Sequence, residues 1–96
     1  MTRYVLTSLA EEDVTELTTF VAADSPAAAR RLVVELRRAL RRLADHPRLG
    51  HSRNDLPEDV RLWPVRSLLV VYRAETSPLL VLRVLSGFRD VARTLR

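Results

Sequence analysis

From Ala10 onward, apolar residues fall at Val14, Leu17 and Val21, the spacing of one helix face. Ser8-Leu9-Ala10-Glu11 has the spacing of a capping box, and Glu11, Glu12 and Asp13 crowd the positive end of that helix. The pattern predicts a helix ending near Asp24, with Phe20 in its core. Ser25-Pro26 then restarts the chain, Ser as an N-cap and Pro at the first helical position. Over the following stretch Ala29, Leu32, Val33, Leu36, Ala39, Leu40 and Leu43 form one apolar stripe, with Arg30, Arg31, Glu35, Arg38, Arg41, Arg42 and Asp45 opposite. Arg31–Glu35 and Arg41–Asp45 stand at i,i+4, and Pro47 ends the helix. The short Asp24-Ser25 connection implies an antiparallel helical hairpin.

Strand patterns bracket the hairpin. Residues 3–7 read as a short strand, and residues 47–59 as a surface loop rich in turn formers. Val60 to Val65 is a strand kept from a central position by Pro64. Ser67 to Glu75 and Leu79 to Ser86 are two more, joined tightly through Thr76-Ser77-Pro78. Phe88 to Leu95 has room for one or two helical turns. The expected architecture is α+β: an N-terminal strand, an antiparallel helical hairpin, a three-stranded antiparallel meander and a short C-terminal helix, with residues 1–96 as one domain.

The last two strands are apolar on both alternating sets. Leu68, Val70 and Tyr72 stand against Leu69, Val71 and Arg73; Leu80, Leu82 and Val84 stand against Leu79, Val81 and Leu85. A sheet covered on one side alternates apolar with polar residues, and one helical hairpin covers one face. Two arrangements answer the surplus: an apolar groove awaiting a partner chain, or coverage by loop 47–59 and the final helix. The first of these implies a protein that works by docking.

Composition narrows the chemistry. The two glycines, Gly50 and Gly87, are too few and too far apart for a phosphate loop or a dinucleotide fingerprint. With no cysteine, disulfides and thiolate metal sites are excluded. No apolar run approaches the roughly 20 residues that span a bilayer, and the N-terminus lacks a signal-peptide core, so a cytoplasmic protein is expected. The net charge is +4, and all 16 basic residues are arginine. That excess suits an acidic partner without choosing between protein and nucleic acid. The arginines of the long helix, interleaved with acids, read as a solvated face.

Candidate catalytic constellations are weak. His46 and His51 lack the helical spacing of zinc ligands, so neither a metal nor a cofactor is expected. No G-x-S-x-G turn presents a nucleophile. Arg53, Arg61, Arg66, Arg73, Arg83 and Arg89 are more informative, coming from the loop and the strands. Arg83, flanked by Leu82, Val84 and Leu85, requires a carboxylate, phosphate or carbonyl partner, with Asp90 and Asp55 as internal candidates.

Several segments in order carry a family pattern. They are Leu6-Thr7-Ser8-Leu9-Ala10-Glu11-Glu12-Asp13, Asp24-Ser25-Pro26 with Ala29, and Leu43-Ala44-Asp45-His46-Pro47-Arg48-Leu49-Gly50. Arg53 with Asp55-Leu56, Arg61-Leu62-Trp63-Pro64-Val65, Val71-Tyr72-Arg73 and Arg83-Val84-Leu85-Ser86-Gly87-Phe88-Arg89-Asp90 follow. Together they resemble the RelE/ParE superfamily of bacterial toxins from type II toxin–antitoxin modules, the ParE branch most closely. The resemblance implies one of two activities. RelE-like members cleave mRNA on the ribosome, with an arginine three residues before the tyrosine of the penultimate strand and a C-terminal Tyr or His. This chain has Leu69 at the first position, and no Tyr or His after Phe88. Arg53, Arg61 and Arg89 would carry that alternative, although arginine is a poor proton shuttle. ParE-like members poison DNA gyrase through a binding surface, which implies no catalytic residue here. The implied partner is a ParD- or RelB-like antitoxin whose C-terminal tail folds over the toxin, with DNA reached through the antitoxin and no membrane involved. Its expected contacts are Arg61, Trp63, Leu69, Val71, Arg73, Val81, Arg83 and Leu85; Arg66, Phe88 and Arg89 are the expected target contacts.

Overall fold

The computed structural model describes residues 3–87 and 91–95. Strand β1 (Tyr4–Leu6) leads into α1 (Ser8–Asp24) and α2 (Pro26–Asp45), then a 3₁₀ turn (Pro47–Leu49). Strands β2 (Val60–Val65), β3 (Leu68–Arg73) and β4 (Leu79–Ser86) follow, and Val91–Thr94 form a single helical turn, α3. The sheet order is β1-β4-β3-β2. β2–β3 and β3–β4 pair antiparallel, whereas β1 runs parallel to β4 with Tyr4 opposite Leu79 and Leu6 opposite Val81. Pro64 sits in β2, an edge strand, where a missing N–H is tolerated.

Local chemistry sets the helix ends. The cap of α1 is Thr7, one residue before the expected Ser8. Its Oγ1 accepts the Ala10 N–H at 3.1 Å, and its hydroxyl donates to the Leu82 carbonyl at 2.8 Å, tying the cap to the sheet. Ser25 serves both helices: its N–H donates to the Val21 carbonyl, and its Oγ accepts the Ala28 N–H at 3.1 Å. Ala29, Leu36, Leu40 and Leu43 are the buried stripe of α2.

Both faces of the sheet are covered, which explains why β3 and β4 do not alternate. On the inner face Leu68, Val70, Tyr72, Leu79, Val81 and Val84 pack with Leu36, Leu40 and Leu43 of the hairpin. On the outer face Leu69, Val71 and Leu85 pack with Leu62, with Leu56 from the loop and with Val91 of α3. The open groove is thereby replaced by the second arrangement: Leu69, Val71 and Leu85 are 3%, 0% and 6% exposed. Phe20 also departs from expectation. It is 77% exposed, and Val14 and Leu17 are the α1 side chains that pack against the inner core.

The acids of α2 do not take their i,i+4 arginines. Glu35 is gripped in a fork by Arg66 from the β2–β3 turn, with Nη2 to Oε1 at 2.7 Å, and Asp45 is paired with Arg3. Sheet-edge arginines reach across and hold the helix instead.

Candidate functional site

Strand β1 stops at Leu6, while its neighbour β4 runs on to Ser86. Beyond Val81 the β4 edge therefore has no strand beside it among the described residues. Two features fill this gap. A register shift leaves Leu82 unmatched, since Tyr72 pairs with Val81 but Val71 pairs with Arg83. Asp13, on the sheet-facing side of α1, supplies its carboxylate where a strand would have supplied carbonyls. It accepts the Val84 N–H at 3.0 Å, and Nε and Nη2 of Arg83 at 2.7 and 2.8 Å.

The internal partner of Arg83 is thus Asp13. Of the two expected candidates, Asp55 is occupied by Arg53, at 2.9 and 2.6 Å, and Asp90 lies outside the described residues. Hydrogen bonding to Asp13 raises the Arg83 pKa further; desolvation opposes it, and Glu12 and Glu16 add to the rise. Expected at the positive end of the helix, Asp13 lies beyond the first turn, because α1 begins at Ser8 and Glu11 is the acid of that turn. The signal for its role beside Arg83 is spacing: with Ala10, Val14 and Leu17 it shares the inward side of α1.

One strand over, Arg73 donates from Nη1 to Asp59 at 2.8 Å. Arg73 and Arg83 meet in a cleft of about 280 Å³, walled by Leu9, Val60, Leu82 and Leu95. Asp59 engages one nitrogen of Arg73, and Asp13 engages two of Arg83. Each guanidinium carries five N–H donors, so both retain donors for an incoming carboxylate. The pre-existing pairs hold the two forks in place while the leucines supply apolar contact.

The other expected site residues are dispersed. Arg61 faces inward and donates to the carbonyls of Gly50 at 2.7 Å and Arg48 at 3.3 Å, pinning the loop. Trp63 is half-buried against the inner core, with the Arg42 guanidinium 5.8 Å from its ring centroid. Val81 is fully buried beneath the hairpin. Leu69, Val71 and Leu85 face outward but lie under Leu56 and Val91. Of the expected antitoxin contacts, the cleft therefore unites Arg73 and Arg83 alone. Arg66 is held by Glu35, and Phe88 and Arg89 lie outside the described residues.

Gly50 and Tyr72 form a further constellation that sequence reasoning missed. The phenol donates to the Pro47 carbonyl at 2.5 Å and accepts the Gly50 N–H at 2.9 Å. A Cβ on Gly50 would come within 2.8 Å of a Tyr72 ring carbon and 2.9 Å of the Leu62 carbonyl, so the close approach demands glycine. Burial pushes the Tyr72 pKa up, partly offset by the hydrogen bond from Gly50 and the charge of Arg61. Among the described residues no three His, Cys, Asp or Glu side chains converge as a metal site, and no helix is long and apolar enough to cross a membrane.

Comparison with known proteins follows the same outline. The family model for the ParE toxin of type II toxin-antitoxin system, parDE, matches residues 4–91. Toxin ParE3 of Caulobacter vibrioides is 37% identical over 54 residues, which is 56% of this chain and 54% of ParE3. The chain thus spans about half the length of the curated relative it matches. A solved chain from the chromosomal ParDE TA system of P. aeruginosa superposes with a TM-score of 0.72, covering 92% of this chain and 98% of that one at 18% identity. At that identity the likeness concerns the fold.

Proposed function

Given that this chain belongs to the ParE family of type II toxin–antitoxin toxins, we propose that it blocks DNA gyrase by protein–protein binding and is neutralised by a ParD- or RelB-like antitoxin. The cleft carries the antitoxin half of this reading. Two oriented arginines beside Leu9, Leu82 and Leu95 suit a peptide that alternates carboxylates with apolar side chains. A tail that orders on docking forfeits ~2–5 kcal/mol of its gross interaction. The fixed geometry of Arg73 and Arg83 limits the ordering cost on the toxin side.

The ribonuclease alternative draws less support from the same geometry. Its candidate Arg53 is closed onto Asp55, and Arg61 onto two backbone carbonyls. Arginine also remains protonated and transfers protons poorly.

Purified chain added to gyrase supercoiling and DNA-cleavage assays, and separately to mRNA on programmed ribosomes, tests the choice. We expect lost supercoiling or accumulated cleavage complexes, with transcripts left intact. Cut transcripts with unimpaired gyrase would reverse the assignment.

A further inference from the structure

The pairing of Glu35 with Arg66 and of Asp45 with Arg3 has a consequence for α2. The helix carries Arg30, Arg31, Arg37, Arg38, Arg41 and Arg42, and its two acids are both taken by arginines from outside it. All six arginines are exposed. Glu35 acts on Arg31 and Arg38 only at longer range; among the described residues, none of the six forms a close ion pair with a carboxylate. At 3.6 residues per turn they occupy an arc of about 140° along about 18 Å of helix axis.

We infer that this outer arc of α2 binds the phosphate backbone of duplex DNA directly, without reading sequence. One arginine per roughly 3 Å of helix axis is close to the phosphate spacing along one strand of a duplex, about 3.4 Å. Arginine forks suit phosphate oxygens. Other anionic partners fit less well. Within the arc the large apolar residue is Val34, and the exposed Phe20 belongs to α1 and stands beside Arg31 at the arc's margin, so the arc itself presents no aromatic anchor to a protein partner. A single strand finds no succession of stacking rings, because Trp63 is half-buried beneath Arg42 and Phe20 is the exposed aromatic beside the arc. An interfacial helix turns its apolar face to lipid, but the apolar stripe of α2 is committed to the sheet. This surface is separate from the cleft of Arg73 and Arg83 and does not depend on gyrase being the target.

The test is a titration of a labelled mixed-sequence duplex with the full chain at several salt concentrations. If four or five arginines contact phosphates, log K falls against log salt with a slope of about −3.6 to −4.5. Arg37→Ala/Arg41→Ala lessens that slope by about 2 and weakens binding about tenfold or more at 100 mM salt. Arg48→Ala/Arg53→Ala, which removes the same charge from the loop region, leaves the slope unchanged. Should the helix variant lose its cooperative melt, Arg38→Ala serves instead, with a slope change of about 1. Equal losses in both double variants would show a net-charge effect and overturn the assignment. So would absence of binding at 50 mM salt, or tighter binding to single-stranded RNA, polyglutamate or anionic vesicles than to the duplex. Because gyrase is absent from this experiment, its outcome is independent of the supercoiling assay.

Discussion

Asp13 accepts three hydrogen bonds from β4, two of them charge-assisted, with its side chain 12% and that of Arg83 20% exposed. Desolvation makes such a pair asymmetric: keeping it contributes modestly, while removing one partner strands a charge. Arg83→Ala is expected to cost about 1–3 kcal/mol in urea denaturation, less than for a fully buried pair because this one is part-buried. Asp13→Ala should cost a similar amount, because it strands Arg83 and also the Val84 N–H. The double variant Asp13→Leu/Arg83→Met should recover the part of the loss that comes from a stranded charge, while the Val84 N–H stays without its partner. Additive losses in Asp13→Ala/Arg83→Ala, relative to the two single variants, would mean that the two side chains do not act on one another. A drop in antitoxin affinity for Arg83→Ala must therefore be read beside its stability, whereas Arg73, 43% exposed, reports on docking more directly.

At the scale of elements, the β2–β3 turn shows how one residue serves two ends. Arg66 has φ of 55°, the left-handed region that L side chains rarely adopt, and from there its guanidinium reaches Glu35 on α2. Arg66→Gly and Arg66→Ala both lose the pair, but only alanine keeps a Cβ at positive φ. The glycine variant should melt about 4–8 °C above the alanine variant; equal melting temperatures would show that the turn relaxes freely. The same contact sets an acid limit. The hydrogen bond from Arg66 holds the Glu35 carboxyl below its usual value, against desolvation. Its contribution is therefore complete above pH 4.5 and disappears as pH falls through the lowered folded value. Glu35→Gln should flatten that part of the pH–stability curve, and the pair's exposure keeps the effect small. An unaltered curve would remove the turn-to-helix link.

For the molecule as a whole, three layers meet where the loop crosses the sheet. Tyr72 in the central strand β3 holds Pro47 and Gly50, and Arg61 holds Gly50 and Arg48. Tyr72→Phe leaves the Gly50 N–H and the Pro47 carbonyl without this partner, at a cost of about 1–3 kcal/mol near neutral pH. Because the folded pKa of Tyr72 is raised above 10.0, the unfolded chain gives up that proton first. Stability is then whole below about pH 10 and declines above it. Tyr72→Phe, which lacks the titrating hydroxyl, should show a shallower decline across that range by urea denaturation. Parallel declines in both proteins would assign the alkaline loss elsewhere.

Periodicity, caps and breakers act within a few residues, and they were enough to read the helices, the hairpin and the succession of strands from the chain. The apolar surplus of β3 and β4 was legible in the same way, as was the need of Arg83 for a counter-charge. The folded arrangement alone shows that Leu56 and Val91 close the outer face, that Asp13 answers Arg83, and that Glu35 and Asp45 are drawn away from their helix. Local spacing fixes which face a side chain occupies, but the partner it meets depends on which distant segment the fold carries to it, here across 31 to 70 residues.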